Sequence, residues 1–320
     1  MTKQNTTPTL YLAIPCYNEQ EVLQETAHRL QEKLGEMMVS GIISDHSRIL
    51  FIDDGSNDTT WHIIDNLHKG NSLVCGLKLS HNQGHQNALL AGLNTAKEYA
   101  DCVISMDADL QDDISVLDKF IEKYNEGCDV VYGVRSSRKS DTAFKRKTAE
   151  GYYKFLRVLG VDILYNHADY RLMSKRALNA LAEYKEVNLF LRGIVRLIGF
   201  KTAMVEYERH ERFAGKSKYP FKKMLSFALD GITSFSVKPI KIIGNLGVVI
   251  SILSIFAMLY ALISKLTGNA VAGWTAIVAS IWLIGGIQLL SLGVIGTYIG
   301  KIYSETKARP KYIIEEFLEK

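Results

Sequence analysis

Short apolar runs alternate with amphipathic stretches along the first 135 residues, and each run ends in a polar cluster. Residues 9–14 read as a strand that stops at Pro15-Cys16-Tyr17-Asn18-Glu19. Beyond it, apolar positions at Val22, Leu23, Ala27, Leu30, Leu34 and Met37 keep close to a helical period and predict a helix. Residues 48–52 make a second strand that runs into Asp53-Asp54-Gly55-Ser56-Asn57-Asp58, with a helix from near Thr59. A third strand over 72–79 passes through Ser80-His81-Asn82-Gln83-Gly84-His85-Gln86-Asn87 into a helix over 88–100. The fourth, 101–104, opens into Ser105-Met106-Asp107-Ala108-Asp109-Leu110-Gln111-Asp112-Asp113, before a helix at Ser115. Residues 129–133 read as the fifth. Repeated strand–helix alternation with runs apolar on both faces predicts a mostly parallel, doubly wound sheet. Ligands bind such sheets at the carboxyl ends of the strands, which is where every polar cluster falls.

The pattern changes past Arg135. Residues 135–157 hold eight Lys and Arg against two acids, with Phe144, Tyr152, Tyr153 and Phe155 interleaved, as a basic helix or loop. Residues 168–174 read as a short strand before a helix, 187–200 as amphipathic with Arg192 and Arg196 one turn apart, and 209–219 as a basic loop. Phe221, Leu225, Phe227, Ala228, Ile232 and Phe235 fit an amphipathic helix lying on a membrane surface. A core helix of a soluble domain fits the same spacing. Residues 242–264 and 273–300 carry no charge and are long enough to cross a bilayer, which predicts a two-helix hairpin. Lys222, Lys223, Lys238 and Lys241 precede it and Lys301, Lys307, Arg309 and Lys311 follow it, whereas its own loop has Lys265 alone. The positive-inside rule then puts both flanks in the cytoplasm. The expected organisation is a catalytic domain over 1–218, a juxtamembrane segment over 219–241, two spans within 242–300 and a cytoplasmic tail over 301–320.

Charge sharpens this division. The net charge of +4 conceals an acidic part, with 9 basic and 20 acidic residues over 1–134, and a basic part, with 29 and 14 over 135–320. A half that can hold a cation is joined to a half that can meet phosphates or an anionic surface. Cys16, Cys75, Cys102 and Cys128 are widely spaced without a Cys-x-x-Cys, which points to reduced thiols in a cytosolic compartment. The polar start, 1–9, lacks the apolar core of a secretory signal.

Asp107 and Asp109, two residues apart at the mouth of a strand, can converge on a hard cation. All-oxygen ligands suit Mg²⁺ or Mn²⁺ with positions left for substrate phosphates. The competing reading makes them turn and helix-cap residues. Asp53 is suited to accept a hydrogen bond from a base or ribose, or to close an ordinary Asx turn. An acidic metal site, a nucleotide-type sheet, a basic segment and a membrane anchor together suggest transfer from a nucleotide diphosphate donor.

The series Pro15-Cys16-Tyr17-Asn18-Glu19, Asp53-Asp54-Gly55-Ser56 and Asp107-Ala108-Asp109 resembles glycosyltransferase family 2, with its GT-A fold. Asn82-x-Gly84-x-x-x-Ala88, Ala168-Asp169-Tyr170-Arg171-Leu172, Glu211-Arg212-x-x-Gly215-x-Ser217-Lys218-Tyr219 and the C-terminal hairpin narrow this to the polyprenyl-phosphate glycosyltransferases. These are relatives of dolichol-phosphate mannose synthase, and the bacterial undecaprenyl-phosphate (bactoprenol) glucosyltransferases are the most similar branch. The resemblance implies that Pro15, Tyr17, Glu19, Asp53 and Asp107 cradle the nucleotide. It assigns Asp107, Asp109 and Gln111 to the metal and the donor diphosphate. Arg135, Arg146, Arg171, Arg212, Ser217 and Lys218 fall to phosphate and acceptor binding, with Asp109 and Asp169 catalytic. Asp169 is a base, an orienter of Arg171 or the sugar hydroxyls, or a strand-end carboxylate paired with Arg171. The chain departs from the mannose synthase pattern at Asp113, where a Pro is common, and the metal reading is left intact.

The implied reaction is inverting transfer of a hexose, glucose from UDP-glucose first, to a polyprenyl phosphate on the cytoplasmic face of a bacterial inner membrane. UDP-N-acetylglucosamine, UDP-galactose and GDP-mannose are alternative donors. A second copy of the chain, a separate flippase and a downstream glycosyltransferase are the implied partners, and nucleic acid is not. A processive polysaccharide synthase is excluded by the lack of an Arg-Trp pair, since Trp61, Trp274 and Trp282 follow Thr60, Gly273 and Ile281. A non-catalytic, membrane-tethered nucleotide-sugar binding protein is the alternative of a different class.

Overall fold

The computed structural model describes residues 7–136, 167–186, 191–208 and 273–319, with scattered helical positions between 240 and 256. The first part alternates β1 (Leu10–Cys16), α1 (Leu23–Val39), β2 (Arg48–Asp53), α2 (Thr60–Gly70), β3 (Val74–Leu79), α3 (His85–Ala96) and β4 (Cys102–Ser105). A single 3₁₀ turn, Ile114–Val116, then leads to α4 (Leu117–Asn125) and β5 (Val130–Arg135). After β6 (His167–Ser174) come α5 (Lys175–Ala182), α6 (Leu191–Leu197) and β7 (Thr202–Tyr207), then α7 (Trp274–Lys307) and β8 (Ile314–Leu318).

Eight strands form one sheet in the order β7-β5-β6-β4-β1-β2-β3-β8. β1 lies parallel to both β2 and β4, and β2 to β3. Every residue of β1 and of β4 is buried, as expected for strands covered on both faces. Leu23, Leu30, Leu34 and Met37 of α1 pack with Leu10, Leu12, Ile14 and Phe51 into the main core. The mostly parallel α/β sheet expected from the alternation is present.

Several boundaries and pairings differ from the expectation. β1 does not stop before Pro15: Pro15 pairs with Ile52 and Cys16 with Asp53. β6 runs antiparallel to both β4 and β5. β7, absent from the sequence reading, pairs parallel with β5 and places Val205 and Tyr207 in the core. β8 corrects the expected tail over 301–320. It pairs antiparallel with β3, where Lys78 bridges Glu315 at 2.9 Å and Tyr99 donates to Glu319, so the last residues complete the sheet's edge.

The chain divides into two units, with residues 309–320 in the sheet unit and 221–308 in the second. In the second, α7 has 34 residues and continues to Lys307, past the expected end at residue 300. At 1.5 Å per residue it is about 51 Å long. Leu283, Leu289, Leu290 and Leu292 on it are exposed, and Ser291, Thr297 and Ser304 each donate to a carbonyl one turn back, so these hydroxyls are satisfied within the helix. Among the described residues this is the one helix long and apolar enough to cross a membrane. The expected first span over 242–264 and the surface helix over 219–241 lie mostly or wholly outside them, as does the basic stretch after Ser136.

Candidate active site

β2 and β3 follow β1 on one side, and β4 returns to its other side, so the strand order reverses between β1 and β4. The crevice at the carboxyl ends of two such strands is where doubly wound sheets bind ligands. Residues 17–19 after β1 and 106–113 after β4 flank it.

The loops around the crevice are laced together by short polar side chains. Asn18, in the left-handed region at φ 52°, donates its N–H to Ser56 Oγ and accepts from Asn57 N–H through Oδ1. Glu19 N–H donates to Thr60 Oγ1 at 2.9 Å. Asp53 is fully buried and accepts from Ser56 N–H at 3.3 Å, so the local turn expected as its alternative role is made. Burial raises its pKa above the ordinary carboxylate value. Pro15 is buried within β1, whereas Tyr17 and Glu19 are partly exposed at its mouth. Asp54, unassigned from sequence, is buried and accepts from Gln83 N–H at 2.7 Å and Gly84 N–H at 2.9 Å. Burial raises its pKa, against the pull of those two donors.

After β4 the chain alternates in and out. Ala108 is buried, and its carbonyl accepts from Thr26 Oγ1 of α1 at 2.8 Å. Asp107 and Asp109 on either side are partly exposed, and Asp109 Oδ1 accepts from Gln111 N–H at 3.2 Å. The next residue, Leu110, sits at φ 55°. A non-glycine residue held there costs about 1–3 kcal/mol and marks a loop whose shape is fixed by its surroundings. Asp113, the departure noted in the sequence, caps the 3₁₀ turn by accepting from Ser115 N–H at 2.8 Å, which a Pro cannot do.

Register brings the candidate base to the same place. Ser105 pairs with Arg171 across the antiparallel β4–β6 ladder, so position 169 falls opposite position 107. Arg171 donates to Asp169 Oδ1 at 2.7 Å, and its side chain is 1% exposed against 14% for Asp169. A guanidinium so covered supports Asp169. His85 completes the group, with Nε2 3.6 Å from Asp169 Oδ2 and 3.7 Å from Asp107 Oδ1.

Beneath these residues lies Asp112, quoted in the sequence motif without a role. It is buried and accepts from Tyr207 O–H at 2.6 Å, and Tyr207 in turn accepts from Arg135 Nε at 3.3 Å. Burial first, and the neighbouring Asp107 second, push the Asp112 carboxyl up to about 6. Arg135 is thus tied to β7 through Tyr207. Arg146, Arg212, Ser217 and Lys218 lie outside the described residues.

Among the described residues no three His, Cys, Asp or Glu side chains converge to hold a metal ion. Mg²⁺ is commonly held by one or two carboxylates plus substrate phosphates. The partly exposed oxygens of Asp107 and Asp109 suit a cation that is completed by a diphosphate. All four cysteines are buried thiols, and burial raises that of Cys16 well above its usual range.

The model of glycosyl transferase family 2 matches residues 11–182. The chain is 57% identical over 308 residues to the uncharacterized glycosyltransferase YkoT of Bacillus subtilis (strain 168), covering 96% of this chain and 91% of that one. It is 40% identical to the bactoprenol glucosyl transferase of Shigella phage SfV, covering 97% and 99% of the two chains. A prophage bactoprenol glucosyl transferase homolog of Escherichia coli (strain K12) is also 40% identical, over 95% and 97%. Among solved structures, the mannosyltransferase PcManGT of Pyrobaculum calidifontis in complex with GDP-Man and Mn²⁺ aligns at a TM-score of 0.48 and 14% identity, over 95% of this chain and 86% of that one. So distant a likeness leaves nucleotide and metal to be argued from the residues themselves.

Proposed function

The chain belongs to glycosyl transferase family 2, and from that premise we propose that it moves a hexose from a nucleotide sugar, UDP-glucose first, onto a polyprenyl phosphate at the cytoplasmic face of a bacterial inner membrane. The observation that carries this is the convergence of Asp107, His85 and the Asp169–Arg171 pair at the reversal of the strand order. Relatives named bactoprenol glucosyl transferase over nearly the whole chain support the acceptor.

A lipid monophosphate has a second pKa of about 6 and is largely dianionic at neutral pH. It is a competent nucleophile without a strong base. One of its oxygens forms a bond to the anomeric carbon while the bond from that carbon to the diphosphate breaks, inverting the centre and releasing UDP. The difficulty is bringing two anions together, which calls for fixed, preorganised charge. Asp107, Asp109 and Gln111 would hold Mg²⁺ or Mn²⁺, which supplies charge neutralisation of the leaving diphosphate. Pro15, Tyr17, Glu19 and Asp53 shape the nucleotide side. Arg135, with Arg146, Arg212, Ser217 and Lys218, serves the phosphates. The short bond from buried Arg171 to Asp169 favours an orienting role for that carboxylate, aimed at the sugar.

β8 also bears on topology. Since residues 314–318 pair with β3, the segment 221–308 leaves the sheet unit and returns to it. A chain that does so must cross a membrane an even number of times. With α7 as one crossing, the uncharged stretch 242–264 is the natural second. This supports a hairpin that leaves the catalytic domain and the C-terminus on one side, which the lysine-rich flanks assign to the cytoplasm. A product made on that face would need a separate flippase and a downstream glycosyltransferase to be used outside, and the glycines at 285, 286, 293, 296 and 300 suit close helix packing between copies of the chain.

The test incubates detergent-purified protein with undecaprenyl phosphate and, in turn, labelled UDP-glucose, UDP-galactose, UDP-N-acetylglucosamine and GDP-mannose, with Mn²⁺, Mg²⁺ or EDTA. Metal-dependent label in the lipid phase from one donor supports the proposal and names the sugar. Binding of a nucleotide sugar by folded protein with no transfer from any donor would favour the non-catalytic alternative.

A further inference from the structure

His85 has no task in the motif roles, yet the fold fixes it with unusual care. It is the first residue of α3, preceded by Gly84 at φ 86°, and both Gly84 N–H and Gln83 N–H are held by the buried Asp54 carboxylate. Gly55, at φ 64°, lets the β2 loop lie against the same segment: a Cβ there would come within 2.5 Å of the His81 carbonyl carbon and 2.6 Å of Asn82 N. The loop that delivers His85 is therefore clamped from below and cannot slide along β2.

What it delivers is one ring nitrogen to two carboxylates, one on β6 and one in the loop after β4. Nε2 is 3.6 Å from Asp169 Oδ2, on β6, and 3.7 Å from Asp107 Oδ1, after β4. The other oxygen of Asp169 is held by Arg171 at 2.7 Å. We propose that His85 is a positioning residue for the sugar transfer, which holds the second oxygen of Asp169 and ties that acceptor-side carboxylate to the donor-side Asp107. The inference rests on the transferase reading above. The present separations are longer than hydrogen bonds, but contacts of this kind tighten when substrate fills a site. The ring is about one-third exposed, with a side-chain accessibility of 32%, and so has room to make that adjustment. With both oxygens held, Asp169 keeps one orientation towards the sugar while the donor is loaded. Without the Nε2 donor the tie from this carboxylate to His85 and, through it, to Asp107 is lost, while Arg171 still holds Oδ1.

The test compares wild-type full-length protein with His85→Phe, which keeps the ring and removes the donor, and His85→Gln, whose amide nitrogen reaches to a similar depth. Measured are kcat, KM for the nucleotide sugar and for undecaprenyl phosphate, UDP affinity by calorimetry, and the thermal melt. The expected result for His85→Phe is a fall in kcat of about ten- to a hundredfold, the range for losing a residue that orients another. UDP affinity and melting should stay near those of wild type, and His85→Gln should recover much of the loss. A His85→Phe protein with wild-type kcat overturns the inference. So does a loss that appears wholly in UDP affinity, because His85 would then serve the donor alone. A wild type that transfers to no polyprenyl phosphate overturns the proposed function instead, and is told apart by needing no variant.

Discussion

Asp112 offers a prediction whose sign is set by the fold. Its carboxyl is raised from 3.8 to about 6, by burial and then by Asp107, with the Tyr207 hydroxyl pulling the other way. Between those two values the folded protein keeps a proton that the unfolded chain has released. Stability therefore falls as pH rises through that window and levels off above it. At about 1.4 kcal/mol per pH unit, ionised Asp112 disfavours the folded state by about 3 kcal/mol at neutral pH. Asp112→Asn keeps an oxygen for the Tyr207 hydroxyl and removes the charge. Its new N–H₂ falls where Oδ2 has no hydrogen-bond partner among the described residues, an unsatisfied donor that costs about 1–2 kcal/mol. The variant should be more stable than wild type by about 1–2 kcal/mol at about pH 8 and less stable by a similar amount at about pH 4. The assay is denaturant unfolding of the detergent-solubilised proteins in EDTA, since a cation at Asp107 would alter the field on Asp112. Taking the difference between the two proteins cancels every other group that titrates in this range. Parallel stability curves for the two proteins, with no crossing, would refute the reasoning.

Other outcomes follow from single contacts. Asp109→Asn should lower kcat by at least about a hundredfold while the melt is unchanged, because it removes charge where the diphosphate leaves; full turnover would remove Asp109 from the metal site. Arg171→Ala strips the buried partner from Asp169 and should destabilise by about 3 kcal/mol or more at neutral pH, a loss read by denaturant titration and absent if the pair is incidental. Gly55→Ala combines the left-handed φ with a backbone clash at His81 and should cost about 2 kcal/mol or more. A melt equal to wild type would mean that the two loops are not locked.

The parallel core was legible because its signals are local. Each of β1 to β4 is a mostly apolar run, and each ends in polar residues that the strand order then gathers at one edge. The Asp107–Asp109 pair stood out for the same reason. What escaped the sequence depends on distance or on disguise. Tyr207 reaches Asp112 across 95 positions of chain, and no pattern near either residue announces the pair. Thr202–Tyr207 does alternate, with Val205 and Tyr207 inward, but it is a short edge strand between two louder segments. In Ile314–Leu318 two adjacent glutamates hide the alternation, and only the free edge of β3 makes it a strand. α3 begins at His85 because Gly84 takes a left-handed φ that Asp54 stabilises from another loop, so the sequence started that helix three residues late and left His85 without a role. Arg171 was assigned to phosphates by resemblance, since its burial beside a carboxylate leaves no mark in sequence.

The most direct measurement is the structure of the product lipid. Wild-type protein is incubated with UDP-glucose, Mn²⁺ and undecaprenyl phosphate, and the lipid phase is analysed by mass spectrometry and by NMR of the anomeric centre. A single hexose joined to the lipid phosphate in the β configuration, opposite to that of the α-linked donor, is the predicted result. A lipid that remains unglycosylated with every donor, or one that carries the sugar with retained configuration, would contradict direct attack by the lipid phosphate at the Asp107–Asp169 site.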